Sequence, residues 1–396
     1  KDKQGFMPQL IEKIYEQRKT EKQQMLEAKS KVQQSNLSDA KKKKLQATAT
    51  TKNLKQHALK ILLNSLYGVC ANPYFVFYDT RIAEGITMHG QFVIQWAEKH
   101  INQYMNKLLH TQNQDYVIGI DTDSLYVNLN PLVEQVIDSE KQQDPDTVVP
   151  FLDNVCAKKI EPVLDKCFEK LFNYTNAYQQ RMKMKREVVA SSGIWTGKKR
   201  YVLNVHDNEG VRYQEPELKA VGVDAVKSSS PEFVQQKLRE GMKIALNATE
   251  QDLIDFVEQT KQQFFEQPVE KISFPTSISK IEKFYDKTHL TIKGTPVHVR
   301  GAIKYNQMLE HYNLTGQYSL INEGDKVKYT YLEMPNPMRQ NVISYVDHIP
   351  PEFDVQDYID YQTMFEKSFI KPLNDLVKYA GWTIERKPQT LDQFLV

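Results

Sequence analysis

Two aspartates stand where an apolar strand is interrupted, a position in which carboxylates can hold a metal ion. The segment from Ile118 to Val127 is rich in Val, Ile and Tyr and breaks at Asp121 and Asp123, which predicts a β-hairpin. Side chains two apart on a strand share one face unless the turn between them re-aims one. Crowded carboxylates repel each other, and Mg²⁺ relieves that repulsion. Taken alone, Asp-Thr-Asp-Ser is explained better by an Asp-rich turn.

A set of cations precedes this hairpin. Residues 9–34 and 39–68 contain neither Gly nor Pro until Gly68, which predicts two antiparallel helices, each about 40 Å long. Arg18 and Lys22 are i, i+4 neighbours on the first helix, so they share a face.

Lys60, Asn64 and Tyr67 form a stripe on the second helix. Cations from both helices can converge on one anion, and a triphosphate needs several. A plain coiled-coil hairpin would instead carry apolar residues at these positions.

The two patterns together resemble a known family. Lys-x-x-x-Asn-Ser-x-Tyr-Gly at 60–68, followed by Asp-Thr-Asp-Ser at 121–124, resembles two motifs of the family B DNA polymerases. Lys198-Lys199-Arg200-Tyr201 resembles the Lys-x-Tyr element of that family. The segments around Gly301 and at 367–372 resemble thumb segments of T-even-type bacteriophage replicative polymerases.

This resemblance implies template-directed transfer of nucleotides from dNTPs to a primer 3′-hydroxyl, with two Mg²⁺ ions as cofactors. Asp123 would be the ligand shared by both ions, and Asp121 would be a weaker ligand. Glu187 would be an acid near the metal site. An equally good explanation of Glu187 is an acid that offsets the charge of a basic strand. Lys185 stands where phage relatives tend to carry a second acid.

The resemblance also implies contacts to nucleotide and DNA. Arg18, Lys22 and Lys60 would hold the triphosphate, and Asn64, Tyr67 and Gly68 would form the floor under the nascent base pair. Tyr67 alone would be read as an ordinary core aromatic. The primer strand would be held by Lys198, Lys199, Arg200 and Tyr201.

An earlier motif of the family, Asp-x-x-Ser-Leu-Tyr-Pro, is absent, as is an exonuclease domain. We therefore expect the C-terminal half of a polymerase, from a split gene or from a sequence cut at its 5′ end. Such a half would need an N-terminal partner for the other catalytic Asp and would be inactive without it.

The last residues carry apolar side chains after a charged stretch. Leu391, Phe394 and Leu395 resemble the tails with which phage polymerases bind their sliding clamp, although Gln393 stands where an aromatic is expected. A tail packed back on the thumb is the alternative.

The fold expected is α+β: an incomplete right hand with helical-hairpin fingers (1–72), an antiparallel-sheet palm (73–219), a mostly helical thumb (220–384) and the tail (385–396). Strands are predicted at Tyr74–Phe77, Tyr116–Ile120, Leu125–Leu129 and Tyr201–Val205. Helices are predicted at 81–109, 150–180, 231–265 and 355–380, with Ser as N-cap before Pro231, and residues 268–350 are expected to be irregular with short strands.

Charge is unevenly distributed. Residues 1–60 carry 15 Lys and Arg against six Asp and Glu, a net charge of +9, and the other 336 residues carry −7, which gives the overall +2. A second basic cluster contains a single acid, Glu187, among Arg181, Lys183, Lys185, Arg186, Lys198, Lys199 and Arg200. Localised basic patches suit a nucleic acid backbone such as primer-template DNA, whereas Lys41 to Lys44 alone suit a solvated helix face.

Composition narrows the class further. Mean hydropathy of −0.58 and the lack of a long apolar run predict a soluble protein with no membrane span. Three cysteines without Cys-x-x-Cys spacing argue against a zinc module. With the phage resemblance, these features imply the cytoplasm of an infected bacterial host.

Two other function classes remain open. A non-catalytic DNA- and clamp-binding fragment or subunit would account for the incomplete metal site. A two-metal nuclease or phosphatase built on Asp121 and Asp123 would leave the 60–68 block without a use.

Overall fold

The computed structural model describes residues 4–34, 37–284 and 292–384. The chain divides into two compact units, the first being Lys1–Ser191 with Val205–Glu217, and the second Ser192–Asn204 with Leu218–Val396. Helices predominate beside small antiparallel sheets, which confirms the α+β class. The assignment of fingers, palm and thumb at 72, 219 and 384 stays a prediction.

The first unit is built on long helices and one small hairpin. Its elements are α1 (Phe6–Val32), α2 (Asp39–Gly68), α3 (Thr80–Leu108), β1 (Val117–Asp121), β2 (Ser124–Val127), α4 (Asn130–Val136), α5 (Pro145–Val155) and α6 (Glu161–Tyr174). The core lies where α3 meets α6, because Val93, Ala97 and Ile101 repeat at helical spacing and pack with Leu164 and Phe168. This core supports β1, whose Val117 belongs to the same cluster.

Helices α1 and α2 form the predicted antiparallel pair, so that prediction is confirmed. Few of their side chains are buried: Ile14, Met25 and Ala28 on α1, and Ala49 and Gln56 on α2. The pair is therefore a two-helix layer that leaves most of its polar side chains on the surface.

Three strands carry the chain between the two units: β3 (Val188–Gly197), β4 (Arg200–Asn208) and β5 (Val211–Val221), in the sheet order β3-β4-β5. The remaining elements of the second unit are α7 (Glu232–Asn247), α8 (Glu250–Phe265), α9 (Val269–Ile272), β6 (Phe274–Ser277), α10 (Ile281–Phe284), α11 (Val297–His311), β7 (Lys326–Tyr331), β8 (Val342–Tyr345), α12 (Tyr361–Phe365) and α13 (Lys371–Val377). A π-helical turn, Glu366–Ile370, joins α12 to α13.

The second unit has two apolar clusters. One is formed by α7, α8, α12 and α13, with Leu238, Leu253, Phe365 and Phe369 at its centre. The other lies between α11 and the sheet β6-β7-β8. Gly301 of α11 allows this packing, because a Cβ there would lie 2.6 Å from the backbone nitrogen of Ser344.

The predicted strand at Tyr74–Phe77 is wrong, because these residues form consecutive turns between α2 and α3. The side chain of Asn72 accepts a hydrogen bond from the Tyr74 N–H at 3.0 Å, and its carbonyl accepts one from the Phe75 N–H at 2.9 Å. Pro73 has no N–H for a strand ladder. Turn chemistry outweighs the strand propensity of the aromatic residues.

The single helix predicted at 231–265 is also wrong. Helix α7 ends at Asn247, and α8 starts anew at Glu250 with a reciprocal capping box between Thr249 and Asp252. The N-cap of α7 is Pro231 rather than a serine.

Other predicted boundaries shift as well. The 150–180 helix is instead α5, which begins at Pro145, a π-helical turn at Cys156–Ile160, and α6, which ends at Tyr174. The 355–380 helix is divided into short helical segments, and the 268–350 region contains α11, a 15-residue helix that was not predicted. In the described part of the chain, no helix is both long and apolar enough to cross a membrane.

Candidate functional site

The acidic hairpin is confirmed as β1 and β2, and its two aspartates lie at the same end. Asp121 closes β1 opposite Ser124, so Thr122 and Asp123 make a two-residue turn. The Asp123 N–H donates to the Asp121 carbonyl at 2.7 Å. The hydroxyl of Thr122 donates to Asp121 Oδ1 at 3.0 Å. Asp121 is half-buried, whereas Asp123 is exposed at the tip.

Thr122 adopts a strained backbone conformation in this turn. Its φ of +57° is left-handed, which is a true outlier for a β-branched residue. Such a conformation costs about 1–3 kcal/mol and is found chiefly at binding and catalytic sites. Asp123 lies in the turn rather than on a strand. The two aspartates therefore need not point to the same face, as they would on a continuous strand.

Carboxylate oxygens at one turn fit Mg²⁺, which usually takes one or two protein carboxylates and completes its shell with water and substrate phosphate. Within residues 4–34, 37–284 and 292–384, no three His, Cys, Asp or Glu side chains are grouped so as to hold a metal ion. Asp121 and Asp123 could thus supply part of a shell. Glu187 is exposed just before β3 and makes no such group of three with them.

The cationic stripe lies on the exposed side of α2. Lys60, Asn64, Tyr67 and Gly68 are all exposed. Lys60 forms no ion pair with any residue that the structure describes. These side chains are therefore accessible to a ligand.

An ion pair fixes how the two helices align. Lys52 Nζ of α2 lies 3.0 Å from Glu21 Oε2 of α1. At about 1.5 Å per residue, Lys60 then lies about 7–8 Å along the helix pair from Arg18, and about 13–14 Å from Lys22. Arg18 thus lies between the other two cations, an order that an extended polyanion could follow.

Arg18 and Lys22 differ in their surroundings. The Nε of Arg18 is buried and has no hydrogen-bond partner among the described residues. Lys22 forms an ion pair with Glu209, which lies in the turn between β4 and β5. The sequence gives no sign of this role for Glu209, because 187 positions separate it from Lys22.

A buried charge network lies beside that turn. Arg186 forms ion pairs with Asp153 and Asp207, and Asp207 also accepts from Arg212 Nε at 3.1 Å. Burial lowers the pKa of Arg186, but hydrogen bonds to Asp153 and Asp207 outweigh it, and the pKa ends above its ordinary value. Arg186 was counted in a basic cluster, but the network neutralises it and only 10% of its side chain is exposed.

The Lys198–Tyr201 segment belongs to the second unit: Lys198 and Lys199 join β3 to β4, and Arg200 and Tyr201 begin β4. Lys198, Lys199 and Arg200 are exposed, and Arg200 Nη2 lies 3.7 Å from Asp224 Oδ2. The Tyr201 ring is only 6% exposed, and its centroid lies 6.2 Å from that of Trp195. A direct contact from Tyr201 to DNA stays a prediction. The clamp-tail residues Leu391, Phe394 and Leu395 lie outside the described residues.

Two cysteines of the first unit are protonated rather than reactive. Burial raises the pKa of Cys156 and of Cys167 to about 11. Cys70 is a free, buried cysteine as well. Neither Cys156 nor Cys167 therefore provides a thiolate near neutral pH.

Comparison with known proteins finds a family and several relatives. Residues 1–138 match DNA polymerase family B. The chain is 34% identical over 352 residues to the DNA-directed DNA polymerase of Enterobacteria phage T4, which takes in 86% of this chain and 38% of that protein. It is 33% identical over 444 residues to the DNA-directed DNA polymerase of Escherichia phage RB69, which takes in 100% of this chain and 48% of that protein.

A more distant similarity is to the DNA polymerase beta of African swine fever virus, at 26% identity over 242 residues and 59% of this chain. The chain spans less than half the length of the two phage polymerases that it matches.

Proposed function

Since the chain belongs to DNA polymerase family B, among its T4-type members, we propose that it provides part of the nucleotidyl-transfer site of a replicative DNA-directed DNA polymerase. One observation carries the proposal: the acidic hairpin and the cationic helix pair belong to the same compact unit. The first suits Mg²⁺ and the second suits a triphosphate, and nucleotidyl transfer needs both.

In this proposal Asp123, exposed at the hairpin tip, and Asp121 beside it hold Mg²⁺. When bound, the ions lower the pKa of a primer hydroxyl and neutralise charge on the leaving phosphates. The hydrogen bond from the Thr122 hydroxyl to Asp121 Oδ1 would help to hold that carboxylate in place at the turn. Glu187 stays a weaker candidate for a metal contact.

The cations act on the nucleotide. Arg18, Lys22 and Lys60 would bind the triphosphate and stabilise the charge that builds up as pyrophosphate leaves. Asn64, Tyr67 and Gly68, exposed on the same helix, would lie under the new base pair. In the second unit, the exposed turn from Lys198 to Arg200 would contact the primer backbone, with Tyr201 beneath it.

Other parts of the activity would come from elsewhere. Two carboxylates hold two ions poorly, so we propose a further carboxylate from a polymerase portion that the phage relatives contain and this chain does not match. The exonuclease would belong to that portion too. The C-terminal segment with Leu391, Phe394 and Leu395 would bind a sliding clamp.

Primer extension tests the metal site. The chain would be combined with the remaining part of the RB69 relative and supplied with primer-template DNA, dNTPs and Mg²⁺. Asp123→Asn should abolish extension and leave DNA binding largely intact, because no phosphate contact is lost. Asp121→Asn should be milder, and Asp138→Asn, an exposed aspartate of the same unit, should have no effect.

Extension at the wild-type rate by the Asp123→Asn protein would refute the assignment. The absence of a three-acid group among the described residues favours one alternative, a DNA-binding subunit without catalysis. That alternative predicts DNA binding but no extension with any complementing part.

A further inference from the structure

The turn between β4 and β5 carries an unusual residue. Glu209 and Gly210 connect the strands with φ values of +54° and +85°. Two left-handed residues make a type I′ turn, where Asn, Asp or Gly at the first position is preferred. Glutamate is not a preferred residue at this position of the turn, so the presence of its side chain there suggests a role outside the turn.

The surrounding contacts hold this turn firmly. The Gly210 N–H donates to Asp207 Oδ1 at 2.9 Å, and Asp207 is itself fixed by Arg186 and Arg212. The Glu209 N–H donates to the carbonyl of Glu187 at 2.6 Å. The backbone of Glu209 is therefore held on both sides, and its side chain extends from a fixed point of the turn.

That carboxylate meets Lys22 of α1. The two side chains are 31% and 23% exposed, for Lys22 and Glu209 respectively, so water screens the pair only in part. The same helix is tied at two further points: Glu12 Oε1 lies 3.4 Å from Arg181 Nη2, and the Gln33 carbonyl accepts from Gln214 Nε2 at 2.8 Å. Loss of the Lys22 contact would thus leave α1 attached.

We propose that Glu209 is a positioning residue that occupies the Lys22 ammonium until a triphosphate displaces it. This inference rests on the function proposed above, in which Lys22 binds phosphate. In the exchange, the ammonium leaves the Glu209 carboxylate and donates hydrogen bonds to phosphate oxygens instead. Glu209 keeps Lys22 oriented while the site is empty and weakens nucleotide binding by the strength of the pair.

The sign of this effect separates it from a merely structural role. Loss of a structural contact weakens ligand binding, whereas loss of an internal competitor strengthens it. Glu209→Gln should lower the apparent Kd of a template-matched dNTP about two- to fivefold, as expected for a partly exposed ion pair. The measurement is equilibrium dNTP binding to the reconstituted polymerase on a primer ending in a dideoxynucleotide, so no turnover occurs.

A double-mutant cycle and a control complete the test. Lys22→Met should weaken dNTP binding, and Glu209→Gln should have no further effect in that background. The control is Glu16→Gln, which breaks an exposed pair with Lys19 on the same helix and should leave dNTP affinity unchanged.

Two results would overturn the inference, and they differ in what else they refute. If Glu209→Gln leaves affinity unchanged or weakens it while Lys22→Met weakens it, Glu209 is not a competitor and the proposed function stands. If Lys22→Met and Lys60→Ala both leave dNTP affinity unchanged, the triphosphate does not bind these cations, and the inference falls together with that part of the proposed function.

Discussion

Asp207 offers the sharpest test of how the first unit is held together. It is 3% exposed and accepts from Arg186, from Arg212 and from the N–H of Gly210. Asp207→Asn keeps the shape and an oxygen for the Gly210 N–H, but it removes the charge that faces two guanidinium groups. Breaking a buried ion pair from one side costs about 3–5 kcal/mol. Because Arg186 keeps Asp153, we expect the low end, about 3 kcal/mol.

The assay is urea unfolding followed by the fluorescence of Trp96, with Trp195 and Trp382 changed to Phe so that the signal reports on the first unit. With m of about 2–3 kcal/mol/M, the midpoint should fall by about 1–1.5 M.

The control is Glu16→Gln, whose partner Lys19 forms an exposed pair. Its cost should stay below about 1 kcal/mol. If Asp207→Asn lowers the midpoint no more than the control does, the buried network does not stabilise the unit and the reasoning is refuted.

Two further predictions concern pH and the tail. His206 is 8% exposed, and burial together with Arg212 lowers its pKa below the ordinary 6.5. As the pH falls through that value the unfolded chain binds the proton first, so the free energy of unfolding should fall. His206→Asn should make the free energy of unfolding depend less on pH, as measured by urea titrations at several pH values. Equal pH dependence in the wild-type and mutant proteins would contradict this. Alanine at Leu391, Phe394 and Leu395 should abolish stimulation by the cognate clamp and leave distributive synthesis on short templates intact. Lost basal synthesis with stimulation retained would make the tail structural.

Local patterns predicted the parts of the molecule that local forces determine. The helices around Arg18 and Lys60 follow from long segments without Gly or Pro, and the acidic hairpin follows from an apolar strand interrupted by Asp121 and Asp123. Their boundaries differ from the prediction by a few residues, as frayed ends allow.

Other parts depend on contacts between distant residues. Helix α11 contains Gly301, which weakens a helix by local propensity but allows the close approach to Ser344 that stabilises it in the fold. The pairing of Lys22 with Glu209 joins residues 187 positions apart, and no local pattern encodes it. Residue types and spacing therefore identified candidate binding residues. They did not show which of these residues already form ion pairs within the protein.

That distinction bears on how the site would bind its ligands. Asp123 and Lys60 are exposed and have no ion-pair partner among the described residues, so either can take a counter-ion without breaking an internal contact. Lys22 must first release Glu209. If all three act on one nucleotide, Lys60 attracts it without breaking an internal contact. Lys22 contributes only when the ligand reaches it and replaces the Glu209 contact. Lys60→Ala and Lys22→Met should then both weaken dNTP binding, but only the effect of Lys22→Met should depend on Glu209.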